Sequence, residues 1–153
     1  MDLILWRHAE AEDADAGQAD LQRALTSRGE KHAARVAAWL DRHLTEGTRV
    51  LCSPARRCEQ TALALGRKYK VIKELGPDGT AAALLEAAHW PTARQPVVVV
   101  GHQPMLGAVI SQLLRLQGEQ CPVRKGSAWW LRTRERDGDE QTLVWAVQTP
   151  ELV

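Results

Sequence analysis

The sequence predicts an α/β fold: a three-layer sandwich with helices on both faces of a mostly parallel central sheet and a C-terminal β-hairpin at the sheet edge. Short apolar runs alternate with helix-like segments up to about residue 117, which is typical of a parallel sheet. The continuous valine run at residues 97–100 is typical of a strand covered on both faces. Two further strand-like runs flank Asp137-Gly138 and predict the hairpin.

The first half of the chain supplies two predicted strands, at residues 3–6 and 50–52, and a helix after each. Residues 9–25 between them form a polar loop, long enough to be functional or mobile. Ser27 and Glu30 have the spacing of a capping box, and the helix that follows has apolar residues at helical period. Ser53 is expected to be the N-cap of the second helix, with Pro54 at its first position.

The second half contains a predicted third strand at residues 71–73 and two more helices. Thr80 is the expected cap of one helix, which Trp90-Pro91 ends, and Pro104 begins the other. The strands of the hairpin are expected at residues 129–133 and 142–147.

Composition narrows the class of protein. A length of 153 residues predicts one domain over residues 1–153. The net charge of +1 gives no case for nucleic acid or a membrane surface as partner. No apolar stretch approaches the roughly 20 residues of a membrane span, and the N-terminus does not resemble a signal peptide. Three cysteines without CxxC spacing favour reduced thiols in a cytoplasmic protein.

Polar residues follow three of the predicted strands. Arg7-His8 follows the first strand, Arg56 and Arg57 lie just beyond the second, and His102 follows the valine run. Ligands of open α/β sheets bind outside the carboxyl ends of the strands, and helix N-termini there favour anions. Two arginines in a first helical turn oppose the helix dipole, which a bound anion would offset; the alternative is a solvated pair. The pattern predicts an anion site and phosphoryl chemistry.

The three motifs, taken in order, resemble the histidine phosphatase superfamily, the phosphoglycerate-mutase-like enzymes. Residues 7–9 read Arg-His-Ala, residues 53–61 read Ser-Pro-Ala-Arg-Arg-Cys-Glu-Gln-Thr, and residues 101–104 read Gly-His-Gln-Pro. Together with Arg-Ala-Leu-Thr at residues 23–26, they are most similar to the SixA-type phosphohistidine phosphatases. The resemblance extends from Leu3 to about Leu114 and implies a phosphoglycerate-mutase-like fold.

The resemblance also implies roles for individual residues. His8 would be the nucleophile that forms a phosphohistidine, which water then hydrolyses. Arg7 and Arg57 would hold phosphoryl oxygens, and His102 would hydrogen-bond the phosphoryl group from the opposite side. Arg23 would bind substrate at the rim of the site or simply be exposed to solvent. Because such a set could suffice without a metal, no metal or cofactor is expected.

A general acid is the part of the family pattern that is not evident here. Glu74, Asp20 and Asp78 are candidates, and none is convincingly placed. A missing acid fits a phosphoramidate, whose imidazole leaving group is better than an alkoxide. We therefore expect a metal-independent phosphatase acting on a histidine-phosphorylated protein. The alternatives are a phosphatase for small phosphorylated molecules with the same mechanism and a phospho-binding module without turnover, although a binder has no need of a nucleophile.

Overall fold

The computed structural model describes residues 1–153, and all of its strands lie in one six-stranded sheet. The strands are β1 (Asp2–Arg7), β2 (Arg49–Cys52), β3 (Lys70–Val71), β4 (Val97–Gly101), β5 (Ala128–Arg136) and β6 (Asp139–Gln148). The helices are α1 (Ser27–His43), α2 (Arg56–Leu63), α3 (Ala81–Ala87) and α4 (Met105–Leu114), with short 3₁₀ turns at Asp20–Gln22 and Lys73–Leu75. No helix has the length and apolar character that a membrane crossing requires.

The sheet confirms the predicted mixed topology. Its strand order is β3-β2-β4-β1-β5-β6. Strands β1, β2, β3 and β4 run parallel to one another, whereas β5 runs antiparallel to both of its neighbours, β1 and β6. Strand β4 lies between β1 and β2, with Arg7 opposite Gly101 and Cys52 opposite Val100. The carboxyl ends of these three strands are therefore adjacent.

Helices cover both faces of the sheet and form two separate apolar cores. On β1 and β4, Ile4 and Val98 face α1 and α2, whereas Leu5 and Val99 face α3 and α4. This division follows from the strand geometry, because successive side chains point to opposite faces. All five residues of β4 are buried, as the valine run predicts.

The C-terminal hairpin forms as predicted, with longer strands. Asp137 and Gly138 have φ values of +53° and +79°, a conformation that suits a two-residue turn between twisted strands. Strand β5 pairs with β1, and β6 forms the sheet edge.

Two predicted helix caps are wrong, one by one residue and the other by two. The N-cap of α1 is Thr26 rather than Ser27, and its hydroxyl accepts a hydrogen bond from the Gly29 amide at 2.9 Å. Ser53 does not cap α2, which begins at Arg56 after Ala55 without any side-chain cap, so Pro54 lies outside the helix. The Ser53 hydroxyl is instead bound to His102, and this tertiary contact overrides its local capping preference.

The third strand is shorter and earlier than predicted. Strand β3 contains only Lys70–Val71, and the chain turns into a 3₁₀ turn at Lys73–Leu75. Leu75 is fully buried in the core on the α3 and α4 side, whereas Val71 is exposed. Burial of this leucine side chain accounts for the early end of the strand. Thr80 caps α3 as expected, and α4 begins at Met105, one residue after the predicted start at Pro104.

Candidate active site

Four of the residues predicted from the strand ends lie together at the carboxyl edge of the sheet. The His8 and His102 rings have their centroids 5.3 Å apart. Arg57 lies beside them, with its Nη2 atom 3.4 Å from Nδ1 of His102. Arg7 directly precedes His8 at the end of β1. Both histidines and Arg57 are almost fully buried, at 3–6% exposure, whereas the neighbouring Arg56 is exposed.

The ring of His8 has a defined orientation and tautomer. Its Nδ1 atom lies 2.8 Å from the backbone carbonyl oxygen of Ala9. A carbonyl oxygen can only accept, so Nδ1 carries the proton of the neutral ring and Nε2 keeps its lone pair. Burial lowers the pKa of His8 to about 3, and the adjacent positive charges of Arg57 and Arg7 act in the same direction. The ring is therefore neutral and nucleophilic at Nε2 throughout the physiological range.

His102 is held in the opposite tautomer. Its Nδ1 accepts from Arg57, so the proton is on Nε2, which donates to the Ser53 hydroxyl at 2.8 Å. The same hydroxyl oxygen accepts from the Ala55 amide at 3.2 Å, which fixes its position. Burial lowers the pKa of His102 to about 4, with Arg57 contributing in the same direction. Ser53 therefore holds the His102 ring in position. From the sequence we expected Ser53 only to be a helix cap.

The two site arginines each keep a buried donor without a partner. Arg57 donates from Nη1 to the Asp20 carbonyl oxygen at 2.9 Å and from Nη2 to the Asp20 carboxylate at 3.1 Å. Arg7 donates from Nη1 to the Val123 carbonyl oxygen at 2.7 Å. The Nε atoms of both arginines are buried and unpaired. A buried donor left unpaired costs about 1–3 kcal/mol, which the oxygens of a bound anion would offset.

Arg23 is joined to this site through Asp20. Its Nη1 donates to the Asp20 carboxylate at 3.0 Å, and its Nε donates to the Glu12 carbonyl oxygen at 2.7 Å. The side chain of Arg23 is 23% exposed, so it lies at the rim of the site. It does not contact Arg57 directly, because the Asp20 carboxylate lies between the two arginine side chains. Among the three candidate carboxylates, Asp20 pairs with a site arginine, whereas Glu74 and Asp78 are exposed.

Two polar residues of α2 attach the loop after β1 to the site. The Thr61 hydroxyl accepts from the Ala9 amide at 3.1 Å and donates to the Arg57 carbonyl oxygen at 2.8 Å. Gln60 accepts from the Leu25 amide at 2.7 Å, so the far end of the loop is attached to the same helix. The signal for these roles in the sequence is the pair of polar residues that follows Arg57 by one helical turn.

The nearby thiol is a poor competitor as nucleophile. Cys58 is fully buried with its Sγ 3.4 Å from Nε2 of His102, and burial raises the pKa of this thiol to about 12. It therefore stays protonated at neutral pH. All three cysteines are free, and no group of three or more His, Cys, Asp or Glu side chains is arranged to hold a metal ion.

Comparison with known sequences and structures shows which proteins this chain is similar to. A sequence model described as histidine phosphatase superfamily (branch 1) matches residues 3–77. The phosphohistidine phosphatase SixA of Escherichia coli (strain K12) is 32% identical over 148 residues, which span 91% of this chain and 89% of that protein.

Two solved structures superpose over nearly the whole length. The histidine phosphatase SixA in complex with tungstate matches with a TM-score of 0.77 and 27% identity, covering 99% of both chains. A candidate phosphohistidine phosphatase SixA from Nakamurella multipartitia matches with a TM-score of 0.81 and 28% identity, covering 97% of this chain and 95% of that one.

Proposed function

This chain belongs to the histidine phosphatase superfamily, and we propose that it hydrolyses phosphohistidine on a protein substrate, without a metal, through a covalent phospho-His8 intermediate. The observation that carries the proposal is the hydrogen bond from Nδ1 of His8 to the Ala9 carbonyl. It leaves the lone pair of Nε2 available in a ring that burial keeps neutral.

In the first step, Nε2 of His8 attacks the phosphorus, and the bond from phosphorus to the leaving group breaks with its electron pair going to that group. The His8 ring then bears a positive charge, which its Nδ1–H bond to Ala9 stabilises. In the second step, water attacks the phosphorus of phospho-His8 and releases inorganic phosphate, and the ring returns to its neutral form. Hydrolysis of the intermediate thus regenerates the nucleophile.

The buried cations supply the charge stabilisation that phosphoryl transfer requires. We expect the guanidinium groups of Arg7 and Arg57 to hold the phosphoryl oxygens, because each has a buried Nε–H without a partner. His102 faces His8 across the site, and its contact with the phosphoryl group from that side requires the ring to exchange its hydrogen bond to Ser53 or to Arg57. Arg23, at the rim, binds the part of the substrate that surrounds the phosphoryl group. The tungstate complex of SixA supports an oxyanion as the ligand.

Phosphohistidine is favoured over a phosphomonoester as the substrate because no carboxyl group near the site is placed and protonated to act as a general acid. An alkoxide leaving group needs a proton from a nearby acid. The one carboxylate paired with a site arginine is Asp20, and Arg23 and Arg57 lower its pKa, so it is ionised at neutral pH and has no proton to give. The name of the Escherichia coli relative points to the same substrate class.

The experiment compares turnover of a histidine-phosphorylated carrier protein with turnover of a panel of sugar phosphates. We expect a higher kcat/KM on the phosphoprotein and loss of turnover in His8→Ala. His43→Ala, which removes an exposed histidine at the end of α1, is the matched control and should retain activity. Preference for a sugar phosphate would instead make the chain a small-molecule phosphatase, and full turnover by His8→Ala would exclude the mechanism.

A further inference from the structure

The carboxylate of Asp20 lies at the mouth of the site, where it links two arginines. Its Oδ2 lies 3.1 Å from Nη2 of Arg57, and its Oδ1 lies 3.0 Å from Nη1 of Arg23. The side chain of Asp20 is 55% exposed, whereas that of Arg57 is 5% exposed. The carboxylate therefore forms the outer end of a hydrogen-bonded row that runs inward through Arg57 to His102.

A negative charge beside a site for phosphoryl groups requires an explanation. A carboxylate repels a phosphoryl dianion, and it also occupies hydrogen-bond donors of Arg57 that an anion could use. The repulsion is tolerable if the substrate brings a positive charge of its own next to the phosphoryl group. A phosphorylated imidazole can do this, whereas a phosphate ester of an uncharged alcohol or sugar cannot.

We propose that Asp20 determines specificity for nitrogen-linked phosphates by accepting a hydrogen bond from the second ring nitrogen of the substrate phosphohistidine. This inference rests on the proposed function and names the group that would select its substrate class. Asp20 acts here as an acceptor and a counter-charge, and gives no proton to the leaving group.

The chemistry explains why this contact accelerates the reaction. One ring nitrogen of phosphohistidine is bonded to phosphorus, and the other can carry a proton, which makes the ring cationic. When Nε2 of His8 attacks, the P–N bond breaks, its electron pair goes to the ring nitrogen, and neutral imidazole leaves. Without that proton an imidazolide anion would have to leave. A carboxylate next to the ring favours the protonated form, and Arg23 and Arg57 hold the carboxylate in place.

The test is the variant Asp20→Asn, which removes the charge and keeps a side-chain oxygen for an arginine. We compare kcat/KM on a phosphohistidine peptide with kcat/KM on p-nitrophenyl phosphate, an ester whose leaving group needs no proton. The ratio of the two values should fall about tenfold or more, because a hydrogen bond to a charged group is lost for one substrate only. Asp13→Asn is the matched control: it is an exposed aspartate of the same loop and should keep the wild-type ratio.

The Asp20→Glu variant retains the charge and should retain more of the ratio than Asp20→Asn does. Thermal unfolding checks that each variant is folded, which the exposure of Asp20 favours. An equal loss on both substrates would overturn the inference, because Asp20 would then only position Arg57. A wild-type protein that hydrolyses the ester and leaves the phosphohistidine peptide intact would overturn the proposed function itself, so the two failures are distinguishable.

Discussion

Nδ1 of His8 donates a hydrogen bond to the carbonyl oxygen of Ala9, the next residue in the chain, at 2.8 Å. The contact depends on the backbone after β1, which the Ala9 amide fixes by donating to Thr61. Ala9 is fully buried, and its backbone has no positive φ. The orientation of the His8 ring, the proposed nucleophile, therefore depends on the backbone of the next residue.

Buried neutral histidines predict a specific dependence of stability on pH. The pKa values of His8 and His102 in the folded protein are about 3 and about 4, below the ordinary value of 6.5. The unfolded chain therefore binds more protons below about pH 6.5, and the free energy of unfolding decreases as the pH falls through this range. The slope should be up to about 1.4 kcal/mol per pH unit for each histidine.

Urea denaturation between pH 4.5 and pH 7.5 measures this slope. His8→Gln should lose its share of the slope, whereas His43→Gln, at an exposed position, should keep the wild-type value. Equal slopes in wild type and His8→Gln would show that His8 is not buried as a neutral ring.

Ser53 and Ser111 are both buried serines and should respond differently to alanine. Ser53→Ala leaves the buried Nε2–H of His102 with only the weaker acceptor Cys58 Sγ at 3.4 Å, and it should lower the free energy of unfolding by about 1–3 kcal/mol, with a loss of turnover. The hydroxyl of Ser111 in α4 has no partner, so Ser111→Ala should stay within about 0.5 kcal/mol of wild type. Urea denaturation measures the free energy of unfolding of both variants. A similar decrease in the two would contradict the hydrogen bond between His102 and the Ser53 hydroxyl.

Arg57 and Arg56 are adjacent and should differ sharply on substitution by lysine. Arg57→Lys removes the planar fork that contacts Asp20 and the unpaired buried Nε, and it should lower kcat/KM about 100-fold. Arg56→Lys changes an exposed side chain and should stay within about twofold. Steady-state kinetics on any hydrolysed phosphate substrate provide the comparison, and a larger effect at Arg56 would exclude Arg57 as the phosphate ligand.

Gly29 near the start of α1 is required by a close approach of the backbone. A side chain there would clash with the Glu10 carbonyl group, in the loop that follows His8. Gly29→Ala should therefore lower the free energy of unfolding by about 1–3 kcal/mol. At Gly118 the nearest atom would be 3.9 Å from an added Cβ, so Gly118→Ala should cost less than about 0.5 kcal/mol. Comparable losses in thermal unfolding would contradict this reading of Gly29.

The sequence predicts those site residues that directly follow a strand, because the ends of the strands determine their positions. Arg7-His8 and His102 follow strongly apolar runs, and the register of β1 on β4 then brings them together. The hairpin was predictable for a similar local reason, since Asp137-Gly138 has the backbone preference that its turn requires.

The parts that the sequence does not predict depend on contacts between distant segments. Ser53 has the local chemistry of a helix cap, and only the fold brings His102 within 2.8 Å of its hydroxyl. Asp20 lies in a polar loop with no regular pattern, yet its carboxylate pairs with Arg57, which is 37 residues away. Ser27 is the better cap than Thr26 by residue type, yet Thr26 is the N-cap, because the position of the cap depends on where the backbone turns.

The most direct test of the account is to trap the covalent intermediate on His8. The wild-type protein is mixed with an excess of ³²P-labelled substrate, quenched in alkali, digested and analysed by mass spectrometry. We predict an alkali-stable, acid-labile phosphoryl group on His8, formed and lost at rates that match turnover, and absent from His8→Ala. Turnover without any phosphorylated His8, or with the label on another residue, would contradict the central claim.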